Sequence, residues 1–362
     1  MAYCRADSRR GFQGGRPSRV SQAWESIWYP HRAEGWLRRA ALSPLGAASL
    51  LFRAAVQGRN AAYARGWLPS AKVEGASVIS IGNLNVGGTG KTPAVIYLAN
   101  RCHAEGHQVA VLSRGYGRRG RGVARVSPQE GADAFGDEPV LIARRCPAAL
   151  VLVGDDRLQL AELARREYGS DLMILDDGMQ YRRLRKDLEV VVVDEAAGFG
   201  NGKLLPRGPL REPPAALARA DLVWIRAGSR RTFEAVGCPT VRAGYVAKSL
   251  LPPAGDPEPL TAAHGRCVYA FAGVARPESF LETVRELKAV LVGSRFFPDH
   301  HWFTRAELDD LLREAKRRQA QMLLTTEKDL VRLPPGFPAW AVRLEVIILQ
   351  GADALSHGLA VL

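Results

Sequence analysis

Eight consecutive residues, Asn85-Val86-Gly87-Gly88-Thr89-Gly90-Lys91-Thr92, hold the parts of a phosphate site. A glycine-rich turn lets backbone N–H groups crowd round an anion, a lysine reaches the β- and γ-phosphates, and a threonine hydroxyl can ligate Mg2+. The general pattern G-x-x-x-x-G-K-[ST] asks for glycine where Asn85 stands. Asparagine is among the few other residues that enter the left-handed region readily, so Asn85 is expected to adopt it and leave the loop working.

A nucleotide loop of this kind also needs a carboxylate on the metal side, at the end of a neighbouring strand. The segment LMILDDG at 172–178 supplies Asp176 and Asp177 after four apolar residues. Two adjacent acids at a strand end repel unless a cation or donor lies against them, which points to Mg2+. GTPases read guanine with an N/T-K-x-D motif; TEKD at 326–329 has the wrong order, and no other candidate is present.

The elements that must position these groups follow from the pattern of apolar runs. SVISIGN (77–83), QVAVLSRG (108–115), ALVLVG (149–154), DLMILDDG (171–178), LEVVVVDE (188–195) and DLVWIR (221–226) read as buried strands, with a helical stretch from 92 to 105 behind the loop. Continuous apolar runs alternating with helices indicate a parallel sheet covered on both faces. Pro93 suits the first turn of that helix, whose N-terminus would face the phosphates. A Pro- and Gly-containing stretch at 251–259 reads as a linker, after which RCVYAFAGV, AVLVGSRFF and QMLLTTEKD continue the α/β alternation, with Thr304-x-x-Glu307 as a helix cap. The expected fold is α/β, with a nucleotide-binding core over 71–250 built on a P-loop NTPase-like parallel sheet, and a smaller C-terminal α/β domain over 260–362.

The N-terminal part has a different composition. Of the formal net charge of +13, about +8 falls in residues 1–70, which hold eleven Arg against Asp7, Glu25 and Glu34. Residues 1–20 read as a disordered basic tail. Residues 21–70 carry Trp24, Trp28, Trp36 and Trp67 among arginines and Leu50-Leu51-Phe52, a composition suited to an amphipathic helical segment lying on an anionic membrane surface. The uncharged run at 40–52 falls short of the ~20 apolar residues that span a bilayer, so a peripheral, monotopic association is expected. Charge concentrated beside aromatic and apolar side chains favours a membrane over nucleic acid, and no nucleic-acid partner is expected. Five scattered cysteines offer no C-x-x-C pair, so no zinc knuckle is expected.

Polar clusters on loops remain to supply an acceptor site. In order they form the series GNLNVGGTGKTP (82–93), LSRGYGR (112–118), GDEP (136–139), DDGMQ (176–180), GFGNGKLLPRGPLREP (198–213), FAGVARPESF (271–280), FPDHHWF (297–303) and LTTEKD (324–329). This series resembles the tetraacyldisaccharide 4′-kinases (lipid A 4′-kinases), over about residues 23 to 335. Tyr181 stands where that family commonly carries His.

The resemblance implies transfer of the ATP γ-phosphate to the 4′-hydroxyl of an acylated disaccharide 1-phosphate lipid, with ATP and Mg2+ as cofactors. It implies a place at the cytoplasmic face of the inner membrane of a Gram-negative bacterium. A sugar hydroxyl is a poor nucleophile and benefits from a positioned base. Joined to the family pattern, this assigns the base to Asp137 paired with His300, His301 being the neighbouring alternative. Lys91 and Arg211 would stabilise charge on the transferring group. Glu138 and Asp176 would serve Mg2+ together with Thr92, with Asp177 behind them or holding Lys91. Arg114, Tyr116 and Gln180 would line the acceptor pocket. The competing expectation is a P-loop ATPase or metallochaperone that turns over nucleotide without a lipid acceptor.

Overall fold

The computed structural model describes residues 19–30, 35–228, 233 and 237–362. The expected basic tail therefore lies outside the described residues, apart from Arg19 and Val20. Three helices come first: α1 (Arg19–Trp28), α2 (Trp36–Ala41) and α3 (Ser43–Ala64). The alternating region follows with β1 (Ser77–Gly82), α4 (Lys91–Ala104), β2 (Val109–Ser113), β3 (Ala124–Arg125), α5 (Ala132–Phe135), α6 (Asp137–Arg145), β4 (Leu150–Val153), α7 (Arg157–Tyr168), β5 (Leu172–Asp176), β6 (Leu188–Asp194) and β7 (Leu222–Arg226). The remainder is β8 (Thr240–Leu251), β9 (Cys267–Gly273), α8 (Pro277–Glu286), β10 (Val290–Phe297), α9 (Arg305–Arg317), β11 (Met322–Thr326), α10 (Glu327–Leu330), β12 (Ala339–Gln350) and α11 (Ala352–Leu359).

Among the described residues the strands form one twelve-stranded sheet in the order β10-β9-β11-β12-β8-β7-β6-β1-β5-β2-β4-β3. Every residue of β2, β5, β6 and β9 is buried. Helices cover both faces, so these strands have no solvent side to make polar, and their sequences read as near-continuous apolar runs. Among the strands of the described residues, only the β3–β4 and β8–β12 pairs are antiparallel.

The β8–β12 pair joins the two parts of the sheet. Each strand is twelve residues long, and they pair from Ala341–Leu251 to Gln350–Arg242. Neither is a continuous apolar run, because both are only half-buried along much of their length, and the sequence reading passed over them. The 71–250 and 260–362 regions meet along this seam.

Strand order reverses around β1, which lies between β5 and β6. At such a point the connections leave in opposite directions and open a crevice beyond the carboxyl ends of the strands. The loop after β1, the aspartates after β5 and Asp194 at the end of β6 all face that crevice.

At the N-terminus, α3 is held by one buried stripe: Ser49 Oγ donates to the Leu204 carbonyl at 2.8 Å and Asn60 Nδ2 to Glu212 Oε2 at 2.7 Å. Other apolar groups of α2, α3 and the turn after them face solvent, with Leu50 66%, Leu51 75%, Trp36 76% and Trp67 73% exposed. No helix among the described residues is long and apolar enough to cross a membrane.

Candidate functional site

The phosphate loop is fixed from within by Asn83. Its Nδ2 donates to Thr89 Oγ1 at 2.8 Å, and its Oδ1 accepts from Lys91 Nζ at 3.2 Å. Gln180 Nε2 donates to the Asn83 carbonyl at 3.0 Å, so the turn after β5 is tied to the loop after β1. Left-handed backbone occurs at Gly87 (φ 106°) and Gly90 (φ 89°), and α4 begins at Lys91 with Thr92 buried in its first turn.

Asn85 corrects the sequence expectation. Among the described residues, positive φ outside glycine is confined to Asp177, Lys288, His300 and Gln319, so Asn85 is not left-handed. It pairs with Leu210 in an isolated antiparallel bridge and donates from Nδ2 to the Gly198 carbonyl at 2.9 Å, while the Val86 N–H donates to the Pro209 carbonyl at 2.8 Å. The side chain anchors the loop to the 198–210 segment; the turning is done by the glycines that follow.

The two aspartates after β5 have separate surroundings. Asp177, at φ 54°, places Oδ1 3.3 Å from Lys91 Nζ and Oδ2 2.7 Å from Arg211. Burial works against its charge, but Lys91 and Arg211 outweigh it and hold the carboxyl at about 2. Arg211 also donates to Gln180 Oε1 at 3.4 Å. Asp176 accepts at Oδ2 from the Ser113 hydroxyl at 2.9 Å, while its buried Oδ1 has no hydrogen-bond partner. Burial, then the charges of Glu138 and Asp177, push Asp176 up to about 7.

An orphaned, buried carboxylate oxygen between two other acids is a place for a cation. No three His, Cys, Asp or Glu side chains among the described residues could hold a metal by themselves. The bare Asp176 oxygen with Glu138 beside it fits Mg2+, which takes one or two carboxylates and fills its sphere with phosphate oxygens and water.

The opposite side of the cleft is built from the C-terminal region and α6. Asp137 heads α6 and is buried. His300 Nδ1 lies 3.0 Å from Asp137 Oδ2 and 3.1 Å from Oδ1. Lys328 Nζ lies 3.1 Å from His300 Nε2, and 3.3 Å from both Glu138 Oε1 and Asp299 Oδ1. An ammonium can only donate, so in the neutral imidazole Nε2 accepts from Lys328 and Nδ1–H donates to Asp137. Burial raises Asp137, but His300, Lys328 and Arg332 overcome it and hold the carboxyl at about 2. Burial lowers His300, yet the bond to Asp137 leaves its pKa raised. His301 is turned away: it stacks on Phe297 and meets Glu307 Oε2 at 3.0 Å, beside the Thr304 capping box of α9.

These groups open on one cleft of about 2100 Å³ that is also lined by Trp24, Trp28 and Tyr29. The Tyr116 and His300 rings meet edge to face with their centroids 5.5 Å apart, and the exposed Arg114 stands 4.0 Å from Asp155. The structure thus gathers Lys91, Thr92, Glu138, Asp176, Asp177, Gln180, Arg211, Arg114, Tyr116 and His300 around the cleft, with Asp137 directly behind His300. Sequence reasoning missed Lys328, although it lies inside LTTEKD, and Asp194, Arg226 and Arg276, which form an ion-paired group beside the loop.

Residues 39–360 match the family model described as "LpxK: Tetraacyldisaccharide-1-P 4'-kinase". The chain belongs to that family. Among its relatives, the tetraacyldisaccharide 4'-kinase of Anaeromyxobacter dehalogenans (strain 2CP-C) is 46% identical over 93% of this chain and 94% of its own. That of Geobacter metallireducens (strain ATCC 53774 / DSM 7210 / GS-15) is 40% identical over 83% and 90%. Among solved structures, LpxK from Aquifex aeolicus in complex with ATP superposes with a TM-score of 0.74 at 31% identity, covering 89% of this chain and 98% of that one. In the present chain, Tyr181 is bonded through its hydroxyl to Asp156, the N-cap of α7, with Arg157 4.3 Å over its ring. It therefore braces the edge of the cleft.

Proposed function

We propose that the chain transfers the γ-phosphate of ATP to the 4′-hydroxyl of a tetraacyldisaccharide 1-phosphate, a step of lipid A (lipopolysaccharide) biosynthesis. It is a phosphotransferase acting on an alcohol group. The observation that carries this reading is the meeting, in one cleft of an LpxK-family chain, of a phosphate loop with a buried carboxylate–imidazole pair on the facing side.

The 4′-oxygen attacks the γ-phosphorus, the bond from that phosphorus to the β–γ bridging oxygen breaks, and ADP leaves. The hydroxyl proton passes to the Asp137–His300 pair, whose carboxylate His300 orients. Lys91 and the loop N–H groups bind the phosphates, and Arg211, anchored by Asp177, faces the charge that develops on the transferring group. Asp176 and Glu138, with the Thr92 hydroxyl, would hold Mg2+, which when bound neutralises charge on the β- and γ-phosphates. Arg114, Tyr116 and Gln180 stand where an acceptor would enter.

An acylated acceptor lies in a bilayer, and the exposed Trp36, Leu50, Leu51 and Trp67 give α2, α3 and the turn after them the means to rest on one. The enzyme is then peripheral, at the cytoplasmic face of the inner membrane where ATP is available. The 71–250 region carries the nucleotide and the 260–362 region completes the acceptor side.

ADP release in detergent micelles, measured with and without the acyl disaccharide 1-phosphate, tests this. Release that depends on the lipid is expected. Equal release in its absence would favour a simple ATPase.

A further inference from the structure

The phosphate loop is touched from the seam between the two parts of the sheet. Tyr245 lies on β8 opposite Val346 of β12, and its side chain reaches across to Gly90. Its hydroxyl donates to the Gly90 carbonyl at 2.7 Å and accepts from Trp224 Nε1 at 3.2 Å. Gly90 sits at φ 89°, and a Cβ there would lie 2.6 Å from the Tyr245 ring, so the ring fills the space that any other residue at 90 would need.

The position of that hydrogen bond matters. In a trans peptide the carbonyl of one residue and the N–H of the next point in opposite directions. Holding the Gly90 carbonyl outward against Tyr245 therefore turns the Lys91 N–H inward, towards the space the loop encloses. That N–H opens α4, where the helix dipole also favours an anion.

The tyrosine is itself braced. Arg226 lies 5.3 Å over its ring and reaches Asp194 Oδ2 at 3.2 Å and Ser279 Oγ at 2.7 Å. Asp194 also takes Arg276 at 2.6 Å. Arg276 and Ser279 belong to the start of α8, in the C-terminal region. Burial pushes the tyrosine hydroxyl well above its ordinary value, so it stays a donor at every working pH.

We propose that Tyr245 is a positioning residue for phosphoryl transfer, aiming the Gly90–Lys91 peptide at the nucleotide and tying that aim to the β8–β12 seam. This rests on the reading of the loop as an ATP site. Asn83 holds Lys91 and Thr89 from within the loop, and Asn85 and Val86 tie it to the 198–210 segment; Tyr245 carries the position of the seam to it.

Tyr245→Phe keeps the ring that packs on Gly90 and removes only the hydroxyl. The test is to measure KM for Mg-ATP, KM for the lipid acceptor, kcat and Tm on the intact chain. The expected result is a rise of about 3–10-fold in KM for ATP, the size of one lost hydrogen bond, with lipid KM close to that of the unaltered protein and Tm lower by a few degrees, because the buried Trp224 Nε1 also loses its acceptor. An unchanged KM for ATP would overturn the assignment. So would a variant in which both KM values, kcat and Tm all worsen together, since the tyrosine would then serve the fold in general. Absence of Mg-ATP binding by the unaltered protein would overturn the ATP reading and this assignment with it, and that result is visible before any substitution is made.

Discussion

Two buried carboxylates on opposite sides of the cleft are displaced in opposite directions. On the sheet side, Asp176 has one oxygen bonded to Ser113 and the other bare, and its carboxyl is pushed up to about 7. On the facing side, Asp137 is surrounded by His300, Lys328 and Arg332 and is held at about 2. For the first, burial and the neighbouring acids outweigh Lys91; for the second, the surrounding cations outweigh burial. Such a split separates the tasks of two acids in one site. On the proposed reading Asp176 would take a ligand that brings positive charge, whereas Asp137, already ionised, would accept the proton.

Removing the compensated carboxylate should have the largest effect. Asp137→Asn keeps the shape and a partner for His300 but removes the proposed base, and kcat for lipid phosphorylation should fall by about 10²–10⁴-fold while KM for ATP changes little. A change confined to KM would move Asp137 to a binding role and erase the contrast.

Next in size is the loss of the cation that compensates that side. Lys328→Met removes the donor to His300 Nε2 and exposes Glu138 and Asp299 to one another; kcat should drop by roughly 10–100-fold, as for a lost hydrogen bond to a charged group. Steady-state kinetics at saturating ATP measures it, and a variant with full kcat would show that Asp137 and His300 need no third partner.

The smallest effect is on stability, and it sharpens the contrast from the Asp176 side. An aspartate in an unfolded chain titrates near ~3.9, so between that pH and about 7 the folded protein holds a proton that the unfolded chain has released. The contribution of this group to stability is present at low pH and is lost as pH rises through about 7. On the proposed reading Mg2+ with ATP would bind the ionised form, so the gain in Tm it gives should be larger at pH 8 than at pH 6, by a few degrees. Asp176→Asn should remove that difference. Equal gains at both pH values in the unaltered protein would mean that no cation meets Asp176.

The two sides also differ in how far the sequence disclosed them. Loop, helix start and paired aspartates each lie within one short segment, so their types and spacing declared a nucleotide site. Asp137 and His300 lie 163 positions apart, and nothing in their spacing joins them; the family resemblance paired them, and the fold brings them to 3.0 Å. Lys328 was missed because a lysine at the start of a short helix is ordinary until the acids around it are known. Asn85 was misread because the left-handed turns fall on Gly87 and Gly90, leaving it free to pair with Leu210. The sheet core was legible in its apolar runs. The β8–β12 seam was not, since half-buried strands alternate too weakly to stand out.

The most direct measurement is transfer of labelled γ-phosphate from Mg-ATP in detergent micelles containing the tetraacyldisaccharide 1-phosphate, with a control lacking lipid and with Lys91→Ala alongside. The expected result is label on the 4′ position of the lipid, lost in Lys91→Ala. Label released to water at one rate with or without lipid would contradict it, and the facing side of the cleft would then have no acceptor to serve.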